Sequence, residues 1–359
     1  MRDMVRRDRN HPSIIVWSLC NEIECTEASA AQGEEFRNDR RGQGGRAGLP
    51  AALVKELSQQ DDTKAWISVI SLVAVVAACV AAALYWWTPW VIVPAIVIIA
   101  SRQQACFVLA HDAAHYRLFK NRALNDVVGR ALAAPVGISM RTYRVVHRLH
   151  HNHLYERQDP DIPLHGGYPR GRRYLLRKLL FDLTGRTAPK TFAYFMGAPA
   201  INDEAPNTTE PLHDTAPVLR KAARQDRWFV VGLQVCALAL AIATGYGVAY
   251  FLLWILPLCT VLQALLRFRA ICEHGAVQDE HSPLLAARTN LGPGWLLWFL
   301  FPYQVNYHIE HHLYPAIPHY NLPVCHREMQ QRGLLNNAEV RHIFATARLV
   351  SADPIAAIS

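Results

Sequence analysis

The chain has 359 residues and a formal net charge of +8, and apolar residues make up 51% of it. The apolar residues are concentrated in long runs, which indicates a protein that crosses a membrane several times. Its eight cysteines include no C-x-x-C pair, which excludes an obvious disulfide framework and favours a reducing compartment. The basic excess lies mainly in loops, where anionic lipid explains it without a nucleic-acid partner.

The first 38 residues differ in character from the rest. Their run RRDRNHPSIIVWSLCNE resembles the strand and loop around the acid/base glutamate of β-galactosidase-family glycoside hydrolases, and the resemblance matches Glu22 to the proton donor. Such an enzyme also needs a complete barrel and a second carboxylate, and nothing downstream supplies either. We therefore predict a non-functional fragment at 1–38, a flexible basic linker at 39–50, a functional domain at 51–350 and a tail at 351–359.

Four apolar stretches are long enough to cross a bilayer. They are residues 66–87, 90–110, 228–246 and 248–266. The second stretch contains Arg102, and we expect the helix to leave the hydrocarbon there with the arginine reaching towards water. The last stretch contains Pro257, which predicts a kink. Very short connections join the first two stretches and the last two, so we predict two helical hairpins.

Three clusters along the chain contain eight histidines between them. They are HDAAH (His111, His115), HRLHH (His147, His150, His151) and H-x-x-H-H (His308, His311, His312). On a helix, positions i, i+3 and i+4 share one face, so the imidazoles of a cluster point to one place. Eight imidazoles exceed the four ligands of one tetrahedral zinc ion, which predicts more than one metal ion. The spacing alone does not name the metal.

The order of spans and clusters predicts that all three clusters lie on one side of the membrane. The first follows the second crossing, the second follows with no further crossing, and the third follows the fourth. The hairpin tips carry no Lys or Arg, whereas the loops with histidines are rich in both, so the positive-inside rule places the histidines in the cytoplasm. We therefore predict an all-α integral membrane protein, in a bacterial inner membrane, with a cytoplasmic helical cap that carries a dimetal site.

A ligating histidine needs its second ring nitrogen held by a carboxylate or a carbonyl. Side chains placed for this role are Asp112, Glu273, Asn306 and Glu310. Asp159 and Asp161 in QDPDIP are further candidates, and for them a turn or helix-cap role is equally open.

The order of the clusters and the ending H-x-x-H-H-L-Y-P resemble the membrane fatty acid desaturase superfamily of di-iron oxygenases, over residues 51–350. The resemblance implies two iron ions, O2 as co-substrate and a cis double bond introduced into a fatty acyl lipid. It also implies a ninth ligand at His274 in RAICEHG. Front-end desaturases commonly carry Gln where this chain has His308, which argues against that type. No haem domain is fused, so a separate ferredoxin or b-type cytochrome with its reductase is expected to donate electrons.

Other functions remain alternatives. A carotenoid ketolase or hydroxylase of the same superfamily would share the first of the three histidine clusters, or boxes, as HD-x-x-H. A metal transporter is disfavoured because the four apolar runs carry no Asp, Glu or His in their interiors. Among the remaining histidines, His153 is a weaker ligand candidate, His319 is expected to be structural or at the surface, and His165 is treated as an ordinary polar residue. The phrase LHGG around His165 resembles a haem-binding motif, and we interpret it as chance.

Overall fold

The computed structural model describes residues 48–156, 159–198 and 217–354. The segment 1–38, with Glu22, and most of the linker lie outside the described residues. The helices in chain order are α1 Ala51–Leu57, α2 Asp62–Tyr85, α3 Pro89–Ala114, α4 Arg122–Ala133, α5 Met140–Asn152, α6 Ile162–His165, α7 Arg172–Leu183, α8 Ala188–Phe195, α9 Pro217–Ala243, α10 Gly247–His274, α11 Gly294–Leu300, α12 His308–Leu313, α13 Leu322–Gln331 and α14 Ile343–Val350. Two three-residue strands, β1 Thr289–Leu291 and β2 Val340–His342, pair in parallel.

Four helices in the described part of the chain are long and apolar enough to cross a membrane, as predicted. They are α2, α3, residues Arg220–Ala243 of α9, and α10, with mean hydropathies of 2.7, 1.8, 1.6 and 2.0. Helix α2 begins at a cap, because the Asp61 side chain accepts hydrogen bonds from the backbone N–H groups of Thr63 and Lys64. Its large apolar side chains Ile67 and Ile70 are exposed, which suits a helix that faces lipid.

Helix α3 is the central helix, and it contacts α2, α4, α5 and α10. Nearly all of its residues from Ala95 onwards are buried, and its last turns deliver the first histidine pair. The prediction that Arg102 reaches towards water is wrong, because that side chain is only 2% exposed. Its guanidinium stacks at 3.6 Å over the Trp298 ring and donates a 2.5 Å hydrogen bond to the Trp298 carbonyl. Arg102 therefore ties α3 to α11 inside the protein.

Helix α10 is distorted around Pro257, as predicted. A π turn occupies Phe251–Ile255 just before the proline, and the backbone departs from helical dihedrals at Thr260 (φ −121°, ψ −84°). Because proline lacks a backbone N–H and crowds the preceding turn, such a rearrangement is the expected response. Beyond this point the helix continues to His274, so α3 and α10, which contact each other, both end near histidines of the clusters or beside them.

The C-terminal part of the chain closes over these helix ends. Strands β1 and β2 pair residues that are 51 positions apart in the sequence, such as Thr289 and Val340, and α12 contacts β1. Leu49 and α1 pack against α13, and the Leu49 N–H donates to the Tyr314 hydroxyl at 3.0 Å. The cap is therefore assembled from both ends of the described chain, and it covers the histidines.

Candidate metal centre

The structure brings together all nine histidines that were predicted as ligands. They form two groups: His111, His115, His147, His151 and His311 in the first, and His150, His274, His308 and His312 in the second. Within each group, one possible ligand atom per residue lies within 4.8 Å of all the others. Helices α3, α5 and α12 supply the first group, and α5, α10 and α12 supply the second. His274, which no sequence cluster contains, lies in the second group.

The first group is a chain of close contacts between Nε2 atoms. The Nε2 atom of His311 lies 2.9 Å from those of His111 and His151, and the Nε2 atom of His147 lies 2.9 Å from those of His115 and His151. One ring nitrogen carries either one proton or one lone pair, so it cannot form a good hydrogen bond to two neighbours at once. Rings whose nitrogens converge in this way are arranged as metal ligands.

The separations between the ring nitrogens are short enough for neighbouring ligands of one metal ion. Ligands about 2.1 Å from an ion are about 3.0 Å apart at right angles, but about 3.4 Å apart in a tetrahedron. The 2.9 Å separations of the first group are close to the distance between two such ligands. In the second group, the Nε2 atom of His308 lies 2.7 Å from that of His274 and 3.2 Å from that of His312. The five and four converging nitrogens therefore form two groups that could hold metal.

Burial favours the neutral form in most of these rings, which is the form that binds metal. Outside the membrane-length helices, burial followed by the charge of neighbouring rings lowers the pKa well below 6.5 for His115, His147, His151, His308, His311 and His312. His150 differs: although burial lowers its pKa, the nearby carboxylates of Asp159 and Asp161 raise it to about 9. Its Nδ1 atom lies 3.0 Å from Asp159 Oδ1, so that carboxylate orients the ring and leaves Nε2 for the second group.

Of the three carboxylates and one amide predicted to support the ligands, Asp112 and Glu273 lie near a ligand ring. Asp112 Oδ1 lies 3.5 Å from His111 Nδ1, and Glu273 Oε2 lies 3.9 Å from His308 Nε2. Glu273 also accepts a 3.2 Å hydrogen bond from Arg269.

The other two predicted partners bond elsewhere. Glu310 accepts a 2.6 Å hydrogen bond from the Thr289 hydroxyl and lies 2.5 Å from His326 Nδ1. The side-chain amide of Asn306 donates to the backbone carbonyl of Asn290 at 3.0 Å. These two residues join the third box to β1 and α13, so they position α12 as a unit.

Three histidines near the site carried no metal-ligand spacing in the sequence. His319 is 2% exposed, and its Nδ1 lies 2.7 Å from Asp112 Oδ2 while its Nε2 lies 2.9 Å from the Ser68 hydroxyl, so it is structural. His326 bonds to Glu310 as described, and His165 is buried beside His274. They stand alone in the sequence, without helical spacing to a second ligand. His153, the weaker ligand candidate, lies outside both groups and bonds to Glu156.

Comparison with known proteins agrees with this arrangement. The model of the fatty acid desaturase family matches residues 85–344, which is most of the chain. The chain belongs to the fatty acid desaturase family. A model of the glycosyl hydrolase family 2 TIM-barrel domain matches residues 1–39 alone.

Similar desaturases differ in the substrates and electron donors that their names include. This chain is 28% identical over 297 residues to the dihydrorhizobitoxine desaturase of Bradyrhizobium elkanii, covering 78% of this chain and 80% of that protein. It is 23% identical over 318 residues to the sn-1 oleoyl-lipid 12-desaturase of Anabaena variabilis, covering 83% and 86%. It is 25% identical over 297 residues to the sn-2 acyl-lipid omega-3 desaturase (ferredoxin) of Helianthus annuus, covering 77% and 64%. The protein is thus a membrane fatty acid desaturase, an oxidoreductase whose histidine groups suit a metal cofactor.

Proposed function

We propose that this desaturase uses two iron ions and O2 to introduce a cis double bond into a fatty acyl lipid, and that it is not of the front-end type. The observation that carries the proposal is the pair of converging nitrogen groups at the ends of two membrane-length helices. A site at that position meets an acyl chain lying among the apolar helices, and the relative from Anabaena variabilis is named for an oleoyl-lipid substrate.

The roles of the side chains follow from their positions. The first group would hold one ion through five rings and the second would hold the other through four. Bound iron would supply, with O2 and two electrons, the oxidising power that removes two hydrogens from unactivated carbon. The rings that burial keeps neutral would donate a lone pair without losing a proton. His150 would give up its Nε2 proton on binding, while Asp159 fixes its orientation. The closed cap excludes water, which protects a strong oxidant from side reactions.

We further propose that the four membrane-length helices cross as two hairpins, with the metal groups facing the cytoplasm of a bacterial cell. Helix α2 packs along α3, and α9 contacts the start of α10. An even number of crossings separates the histidine clusters, and the positive charge of the loops between them agrees with the cytoplasmic side. The functional domain would then be residues 51–350, and residues 1–38 would contribute nothing to activity.

Electrons would come from a separate carrier, a ferredoxin or a b-type cytochrome with its reductase. Support comes from the relative of Helianthus annuus, whose name includes ferredoxin. The partner surface would include the basic loops around the second box, because acidic carriers are drawn to positive patches.

The test is a gas-chromatographic fatty acid profile of a host that expresses the chain. Wild type is expected to produce a new unsaturated fatty acid, and His311→Ala to produce none, since it removes a ring from the centre of the first group. His281→Ala is the matched control, because His281 is exposed and lies outside both groups. Unchanged fatty acids with newly oxygenated carotenoids would instead identify a carotenoid ketolase or hydroxylase.

A further inference from the structure

A tenth histidine lies against the second group. His165, the last residue of α6, is 1% exposed, and neither ring nitrogen has a hydrogen-bond partner in the described part of the chain. Its ring centroid lies 5.1 Å from that of His274 and 5.3 Å from that of Tyr155. Buried polar groups are nearly always bonded to protein, water or an ion. A buried ring with two unbonded nitrogens therefore indicates a bound partner that is not part of the protein.

A carboxylate and a second imidazole converge on the same place. Asp159 is fully buried, with Oδ2 4.0 Å from His165 Nε2 and Oδ1 3.0 Å from His150 Nδ1. One ligand atom from each of these three residues lies within 4.8 Å of the other two. The Asp161 carboxylate is adjacent, at 3.6 Å from His150 Nδ1. Two imidazoles with a carboxylate form a donor set typical of Zn²⁺ and Fe²⁺.

The backbone between the second box and α7 is shaped to hold these donors. The backbone N–H groups of Tyr155 and Asp161 bond to the two Asp159 oxygens at 3.0 and 2.9 Å, which fixes the carboxylate. Helix α6 then ends in a tight turn at Gly166, where a Cβ would approach the Ile162 carbonyl oxygen to 2.8 Å. The LHGG phrase thus has a structural meaning: its glycines let the chain turn sharply once His165 is in place.

We propose that His165, Asp159 and the Nδ1 atom of His150 form a third metal site, for one divalent transition-metal ion of the Zn²⁺ and Fe²⁺ class. In the loaded site the ion replaces the 3.0 Å hydrogen bond between His150 Nδ1 and Asp159 Oδ1. The Nδ1 proton leaves to solvent, and the ring links the third ion to the second group through its two nitrogens. The inference rests on the proposed function only through His150, which belongs to the second group.

The experiment measures metal content rather than turnover. Full-length wild type, His165→Gln and His165→Ala are purified in detergent and loaded anaerobically with Fe²⁺ or with Zn²⁺ in separate arms. After removal of weakly bound metal, mass spectrometry counts the ions per polypeptide. Both variants are expected to hold one ion fewer than wild type in the arm whose metal fills the site. His153→Ala is the control, because it removes a histidine beside the second box that lies outside all three groups.

Mössbauer spectra of ⁵⁷Fe-loaded protein separate this site from the two nitrogen groups. The signal of iron in the first group, which shares no ring with the third site, is expected to be the same in wild type and His165→Gln. Equal metal content in wild type and both variants would overturn the third site while leaving the desaturase function intact. Loss of all metal from folded His165→Gln, with unchanged helix content by circular dichroism, would also overturn it as a separate site. Wild type without metal in either arm would overturn both proposals.

Discussion

A single imidazole can be assigned by what its two nitrogens contact, and the site is best understood ring by ring. His150 directs Nδ1 to a carboxylate, which leaves the other nitrogen for metal. His274 Nδ1 lies 3.2 Å from the Ala286 carbonyl oxygen, and His274 Nε2 lies 2.7 Å from His308 Nε2. Both rings thus have one nitrogen held by the protein and one directed into the second group, as expected of metal ligands.

His274→Ala tests the ligand that lies outside the three boxes. Removing it leaves the second group with three rings, so we expect about half of the bound iron to be lost and activity to fall by about 100-fold or more. Iron per polypeptide and product formation are the measurements. His153→Ala should retain the iron and activity of wild type, since its ring bonds to Glu156 outside both groups. Equal behaviour of the two variants would contradict the assignment.

At this scale the sequence predicted which rings converge, but not what the carboxylates beside them contact. The eight box histidines were predictable because helical spacing sets their direction whatever surrounds them. Glu310 was expected to support a box ring but bonds to His326 and Thr289, because its direction depends on how α12 packs. His165 carried no spacing signal, since its partner Asp159 is brought to it by a turn and not by a helix face.

At the scale of elements, hydropathy predicted the four long helices because burial in lipid depends on length and apolar composition alone. It could not predict where a polar residue inside such a helix points. Arg102 was expected to reach water, and instead the side chain crosses to α11. Strands β1 and β2 were not predicted either, because three-residue strands 51 positions apart leave no local pattern.

Arg102→Leu tests the connection between α3 and α11. The change leaves the Trp298 carbonyl without its 2.5 Å donor and removes the stacking on the indole, so we expect destabilisation of about 1–3 kcal/mol. Thermal unfolding in detergent measures the effect. Arg102→Lys should fall between wild type and Leu, since it keeps a charge but lacks the planar fork. Val93→Ala, at an exposed position of the same helix, should change stability little, and an equal loss there would refute the specific role of Arg102.

At the scale of the whole molecule, distant parts of the chain must meet for the site to exist. The two nitrogen groups draw on α3, α5, α10 and α12, and rings of one group stack against rings of the other. Sequence order and loop charge predicted that these parts lie on the same side of the membrane, and their convergence in the structure is what that prediction requires. Bringing these parts together without metal costs folding free energy, because many polar rings are then buried side by side.

The metal-free protein should therefore lose stability in mild acid. The six rings whose pKa lies well below 6.5 stay neutral in the folded state, while in the unfolded chain they take up protons as pH falls through 6.5. Each such ring lowers the free energy of unfolding by about 1.4 kcal/mol per pH unit below that value. His150 acts oppositely, because its pKa of about 9 adds stability below 6.5 that is lost as pH rises through 9.

Six rings lower the free energy of unfolding in acid and only His150 raises it. We therefore expect the thermal unfolding midpoint of chelator-treated protein to be lower at pH 5.5 than at pH 7.5. Bound metal favours the folded state and competes with protons for the same nitrogens, so the metal-loaded protein should hold its midpoint to lower pH. Unfolding followed by circular dichroism across this range, with and without metal, measures both effects. A metal-free midpoint that stays constant or rises in acid would mean that the rings are not held neutral, and the two-group centre would lose its electrostatic basis.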